Sequence, residues 1–148
     1  MTQASRKLEE ARRLSIFGLL REAIEAAKAG DRARALELCE DAWNYTPEPR
    51  YGWDVTYACL DAAVKCLRIT GHYDRAIQLV EGYLESGYFL EYQDGPDFWL
   101  GTLHFEKGSL DEAYRYLEAA NRISRGRCFV EEDPRFKAFF KTFKSGKT

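Results

Sequence analysis

The chain has 148 residues, 45% of them hydrophobic and 31% charged, with a formal net charge of −2. That is too apolar for an intrinsically disordered polymer and carries no overall charge that would draw it to nucleic acid or an anionic membrane. The opening MTQASRKLEEARRL is charged where a secretory leader needs an apolar core, and no run of about 18 apolar residues occurs, so a cytoplasmic protein with reduced cysteines is expected.

Residues 5–29 are predicted to form one long helix, on which Leu8, Ala11 and Leu14 extend an apolar face continued by Phe17, Leu20 and Ile24. Gly30 should end it, and a second helix should follow over 31–45. The same pattern returns as helices 54–69 and 73–86 around Gly71, and as 96–107 and 110–125 around Gly108. Apolar residues recur at helical spacing throughout, as in Ala76, Leu79, Val80, Tyr83 and Leu84, and the alternation expected of strands is nearly absent. Pro96 can open its helix from the first turn, capped from Asp94. Gly126 should stop the sixth helix, and Cys128-Phe129-Val130 should be extended. Pro134 should begin a last helix, 134–144, with Phe136, Phe139, Phe140 and Phe143 on one face.

Three segments thus repeat Gly-x-x-x-x-Ala: GDRARA from Gly30, GHYDRA from Gly71 and GSLDEA from Gly108. Glycine can end a helix in the left-handed conformation without a Cβ penalty, and the small Ala lets the returning helix approach closely. One such hairpin cannot bury its apolar face alone, so neighbouring copies are expected to stack. The glycines are 41 and 37 residues apart, which leaves extra residues near RYGWDVT and GYFLEYQDGP. Both insertions are aromatic. Tyr51, Trp53, Tyr88, Phe89 and Tyr92 could either tuck over the edge of the stack or serve as binding anchors.

The chain resembles the tetratricopeptide repeat family, and small bacterial proteins of that kind in particular. Copy three carries the likeness best, with Leu100-Gly101, His104 in the place of the usual Tyr, Gly108, Ala113, Leu117 and Ala120. Copy one keeps Gly30, Ala35, Cys39, Ala42 and the closing Pro47, with Ala23 replacing the packing glycine. Copy two keeps Gly71 and Ala76 but has Val64 and Tyr83 at small-residue places. The resemblance implies an all-α, right-handed α-solenoid of about three helical hairpins with a C-terminal capping helix. It places repeats at 16–49, 57–90 and 94–127 and a cap at 128–148, in a single domain.

Few residues suggest chemistry. His72 lies in a tight turn and His104 at a repeat core position, and neither is linked by a motif to a nucleophile. Cys39, Cys59, Cys66 and Cys128 match no zinc spacing and are expected to be free thiols filling core positions. Acidic pairs such as Glu9-Glu10, Glu40-Asp41 and Glu131-Glu132 fit solvated surfaces. No phosphate loop, dinucleotide fingerprint or metalloprotease motif occurs. No catalytic activity, cofactor or metal is expected.

The expected function is therefore protein binding. By the family's geometry the first helix of each hairpin lines an inner groove, with Phe17, Leu20, Ile24 and Lys28 in the first repeat. The partner-binding candidates are Asp61, Lys65 and Arg68 in the second repeat and Phe98, Thr102, Phe105 and Glu106 in the third, with Trp53 and Tyr92 at the insertion edge. Repeats that clamp the C-terminal carboxylate of chaperones pair Lys with Asn at these places, and the groove Asn residues are missing here. The caps at both ends and the closing GRCFVEEDPRFKAFFK look like small bacterial repeat proteins encoded beside secreted antibacterial toxins. That resemblance implies an immunity protein that occludes one toxin domain. The alternatives are a chaperone or adaptor for a secreted or regulatory protein, and an RNA-binding regulator. The last would use Arg122, Arg125, Arg127, Lys137, Lys141 and Lys144, since residues 122–148 carry eight Lys or Arg against three acids.

Overall fold

The structure, a computed structural model, describes residues 3–146, with side chains as far as Phe143. The described residues are all-helical, as the periodicity predicts: seven α-helices, one 3-10 turn and a single isolated β-bridge. The helices are α1 (Glu10–Lys28), α2 (Arg32–Tyr45), α3 (Thr56–Ile69), α4 (Tyr73–Glu85), α5 (Gly95–Lys107), α6 (Leu110–Ser124) and α7 (Pro134–Gly146). The chain divides into two compact units between Phe89 and Leu90. Unit 1 holds α1 to α4 and unit 2 holds α5 to α7.

The three repeated glycines turn the chain in the same way. Gly30, Gly71 and Gly108 have φ of 81°, 80° and 86°. After each, the next backbone N–H reaches five residues back to a helix carbonyl: Asp31 to Ala26 (2.9 Å), His72 to Leu67 (2.8 Å) and Ser109 to His104 (2.9 Å). This bond satisfies a carbonyl that the helix end would otherwise leave open, and it needs the left-handed residue between. The alanines five residues on, Ala35, Ala76 and Ala113, are all fully buried.

How closely each hairpin closes follows from side-chain volume seven residues before its glycine and twelve after. Those places hold Ala23 and Ala42 in the first hairpin, Val64 and Tyr83 in the second, and Gly101 and Ala120 in the third. The pairs α1–α2 and α5–α6 make close backbone contact along their length, whereas α3 and α4 approach less closely. Val64 and Tyr83, both buried, fill the wider gap.

Within unit 1, α3 packs on both α1 and α2, joining the two hairpins. Polar contacts pin that junction. Arg75 on α4 grips the Glu40 carboxylate on α2 with two hydrogen bonds, 2.6 and 2.9 Å, and Arg32 donates to the Thr70 carbonyl at 2.7 Å. The Arg32 guanidinium also lies against Gly71, where a Cβ would stand. In unit 2, α7 packs on α6 and on the 3-10 turn Arg127–Phe129.

Three local expectations need correction. Residues 5–9 do not extend the first helix, which starts at Glu10. They run as an extended strap, because the backbone of Arg6 finds partners in the 51–54 insertion: its N–H donates to Gly52 (2.9 Å) and its carbonyl accepts from Asp54 (2.7 Å). Leu8 is buried to 2% from this strap, while Leu14, placed on the apolar face, is 63% exposed. Cys128 and Phe129 belong to the 3-10 turn rather than an extended run, because the Cys128 N–H donates to the Ser124 hydroxyl (3.0 Å); only Val130 is extended. Asp94 stands at the N-cap of α5, but its side chain makes no capping hydrogen bond, and helix geometry already begins at Gly95.

Two outcomes test this packing. A Cβ on Gly101 would stand 2.7 Å from the Leu117 side chain and 3.1 Å from its backbone nitrogen, so Gly101→Leu should overpack the α5–α6 crossing and cost about 1–3 kcal/mol. An unchanged urea midpoint would refute that close approach. A double-mutant cycle on Glu40→Gln and Arg75→Met should give a coupling of about 0.5–1 kcal/mol, reduced by salt, since both side chains are about one-third exposed.

Candidate functional site

In unit 1 the candidate residues Asp61, Lys65 and Arg68 fall four and three apart on α3, which stacks them along one helical stripe. Asp61 and Lys65 form an ion pair of 3.1 Å, each side chain 39% exposed, with the acid on the N-terminal side as the helix prefers. Arg68, half-buried, lies in the last turn of α3, where the helix carbonyls favour a cation. The stripe offers hydrogen-bonding charge at modest depth, and an exposed pair of this kind is worth at most about 1 kcal/mol to folding.

Trp53 is committed to the fold. Its indole N–H donates to the Pro47 carbonyl at 2.9 Å, and its ring helps close an apolar slot between α1, α2 and α3 that also touches Ile16, Leu20, Trp43, Cys59 and Leu60. The slot encloses about 30 Å³, room for a methyl group or one water, not for a metabolite.

Other insertion aromatics also tuck over the hairpins of unit 1. Tyr51 donates its hydroxyl to the Leu79 carbonyl at 2.8 Å and packs between Trp43 (4.9 Å between ring centroids) and Tyr83 (5.9 Å). Its hydroxyl lies where a Cβ on Gly82 would stand, so glycine there admits the ring. Phe89 meets the edge of Tyr83 at 5.8 Å, and Tyr88 lies over Gly52.

In unit 2 the candidate residues on α5 are largely covered by the end of the chain. Phe98 is 5% exposed and meets Phe129 and Phe136 edge-on at 5.9 and 6.0 Å. Thr102 is fully buried and donates its hydroxyl to the Trp99 carbonyl at 2.9 Å. Phe105 packs against Phe136 (5.7 Å) and Phe139 (5.0 Å), and Glu106 pairs with Arg135 at 2.7 Å. Tyr92, in the turn before α5, is 74% exposed. The face of α5 expected to meet a partner is thus met by α7.

The remaining candidates have local work. His104 stacks on Tyr116 at 5.6 Å, the rings 8° from parallel, and His72 Nε2 lies 3.2 Å from the Arg32 carbonyl. Among the basic residues, Arg122 pairs with Glu118 (3.6 Å) and Arg127 donates to the Ser124 carbonyl (3.2 Å). Arg125 ends α6 in the left-handed conformation, and Lys137 and Lys141 are exposed on α7; the Lys144 side chain lies outside the described residues. No group of three or more His, Cys, Asp or Glu that could hold a metal ion occurs among the described residues. Nor is any described helix long and apolar enough to cross a membrane.

All four cysteines are free. Cys39 and Cys66 touch across the α2–α3 junction, where the hydrogen bond between them and, next, burial raise the Cys39 thiol, while Cys66 Sγ lies 3.4 Å from the Ala23 carbonyl. Burial pushes Cys59 up to about 12 and raises Cys128 as well. Sequence reasoning had no signal for one further residue. Asp54 accepts the Leu8 N–H on one carboxylate oxygen (3.0 Å) and Arg13 on the other (2.9 Å), anchoring the strap.

No family model, curated protein or solved structure matches this chain.

Raised thiol pKa values mean little thiolate, and thiolate is the reactive form. A disulfide reagent such as DTNB at mildly alkaline pH should therefore modify Cys39, Cys59 and Cys128 slowly in the native protein and all four thiols rapidly in denaturant. Fast labelling of Cys59 in the folded state would contradict its burial.

Proposed function

We propose that the chain is a non-enzymatic, protein-binding module whose hairpins stack as a right-handed, tetratricopeptide-like α-solenoid, and that α3 supplies its recognition stripe. The observation that carries this is the arrangement of Asp61, Lys65 and Arg68. Three charged side chains share one stripe of a helix whose other faces are occupied by Leu60, Ala63, Val64, Cys66 and Leu67, all buried. The i,i+4 pair and the last-turn cation each support α3 only weakly, and all three side chains stay partly exposed on one stripe, where a partner surface with an acidic group and hydrogen-bond acceptors would meet them. The partner that fits is one folded protein in the cytoplasm. The sequence resemblance to repeat proteins encoded beside toxins makes an antibacterial toxin domain our specific proposal, with an effector to be chaperoned as the alternative.

Reversing charge on the stripe tests this. Wild type and Lys65→Glu/Arg68→Glu should both be folded by circular dichroism. A pull-down from native lysate with mass spectrometry should then recover a partner with wild type and lose it with the variant, by about 2 kcal/mol or more of binding energy. Undiminished recovery of every partner by the variant would remove α3 as the site. The identity of the captured protein, toxin or secreted effector, separates the two forms of the proposal.

A further inference from the structure

The strap has the chemistry of a bound peptide. Residues 3–7 are exposed, and the contacts that fix the segment are mostly those of its backbone. The Gln3 N–H donates to Gly87 at 2.7 Å, Arg6 exchanges two backbone hydrogen bonds with Gly52 and Asp54, and the Leu8 N–H donates to the Asp54 carboxylate. Arg6 and Trp53 form the only β-bridge among the described residues, and it is parallel. One side chain of the segment is inserted, Leu8, which is 2% exposed. Backbone pairing along an exposed edge plus a pocket for one side chain is the recognition mode of strand addition, in which the ladder gives affinity and the pocket gives selectivity.

We infer that the 51–54 insertion is a docking edge for an extended peptide segment of a protein partner, and that residues 3–8 are its built-in, displaceable occupant. The strap itself states what the site accepts. The incoming segment presents one residue whose N–H and C=O both pair, at Gly52 and Asp54, and an apolar residue two places on. It carries no acid at that place, where the Asp54 carboxylate would repel it. Side chains between these points face solvent and are unconstrained. Displacement leaves α1 intact, because its first residue is Glu10 and the strap joins it through Glu9, an extended residue (φ −55°, ψ 137°). This docking edge is independent of the α3 stripe, so either can fail without the other.

The probe is a fluorescently labelled peptide of residues 3–9, QASRKLE, with a Leu8→Asp peptide as control, titrated by anisotropy against the full chain. Arg6→Pro removes the N–H that pairs with Gly52 and leaves Leu8 in place; Leu8→Ala empties the pocket instead. Strap occupancy in wild type reduces the competent fraction, so either strap variant should bind the peptide about tenfold more tightly than wild type, and the control peptide should not bind. No binding to a strap variant that keeps its native circular dichroism, or equal binding of the two peptides, overturns the docking edge. Wild type binding as tightly as the variants overturns the built-in occupant. Excess peptide should also speed hydrogen exchange at the Arg6 and Leu8 amides of wild type, and unchanged exchange there sinks displacement even if both variants misfold.

Discussion

The closeness of each hairpin follows from how much side-chain volume stands at its helix crossing, seven residues before each turn glycine. The turn is the same three times, a left-handed glycine followed by an N–H reaching five residues back. The crossing is not. With Ala23 or Gly101 there, the two backbones close; with Val64 there and Tyr83 opposite, they stay apart. Close-packed interiors leave no void for a helix to relax into, so volume added at a crossing sets the interaxial distance.

The wider second hairpin has consequences in unit 1. Tyr83 presents a ring edge that the smaller residues of the other hairpins lack, and the aromatic insertions collect on it: Tyr51 on one side, Phe89 on the other. Tyr51 can settle there only because Gly82 beside Tyr83 has no Cβ. With Tyr51 held, the next residues present Gly52 and Asp54 outward as an edge, and the strap pairs with that edge. Burial of Leu8 adds about 1.5–3 kcal/mol as an upper figure, to which the backbone hydrogen bonds of Gln3 and Arg6 and the Asp54 contacts add. The helix that periodicity predicts over 5–9 loses to this alternative because its backbone groups find partners outside their own segment.

That competition shows what was legible in the sequence. Helix positions came from apolar periodicity and three glycines, and the boundaries from 31 onward hold to within a few residues because both signals are local. The strap was not legible, since Leu8 continues a helical face with Ala11 and Leu14 and nothing local reveals that Asp54, 46 residues away, will take its N–H. Cys128 and Phe129 misled in a similar way. A short apolar run after a glycine reads as extended, and the Ser124 hydroxyl that folds it into a 3-10 turn is buried only once α6 is formed. The grouping of Asp61, Lys65 and Arg68 was legible, because spacing along a helix fixes which side chains share a stripe. A last helix capping the third hairpin was expected from the resemblance, but that it would cover Phe98 and Phe105 in particular was not legible, because an amphipathic last helix can pack on its own chain or on another's, and the sequence of α7 is the same in both cases.

The structure decides that last point for unit 2, and the decision bears on function. Phe136 and Phe139 meet Phe105, Phe136 meets Phe98, and Phe140 and Phe143 meet Tyr114, so one face of α7 is satisfied from within. Arg135 adds a short ion pair to Glu106. A partner seeking those aromatics on α5 would first have to lift α7, exposing its phenylalanines to water at a cost of several kcal/mol. The α3 stripe demands no such step. Its charged side chains are partly exposed, and the Asp61–Lys65 pair is weak. Recognition that needs no prior opening is faster and loses less of its contact energy, which is why our proposal rests on the charged stripe of α3 rather than on the aromatic face of α5.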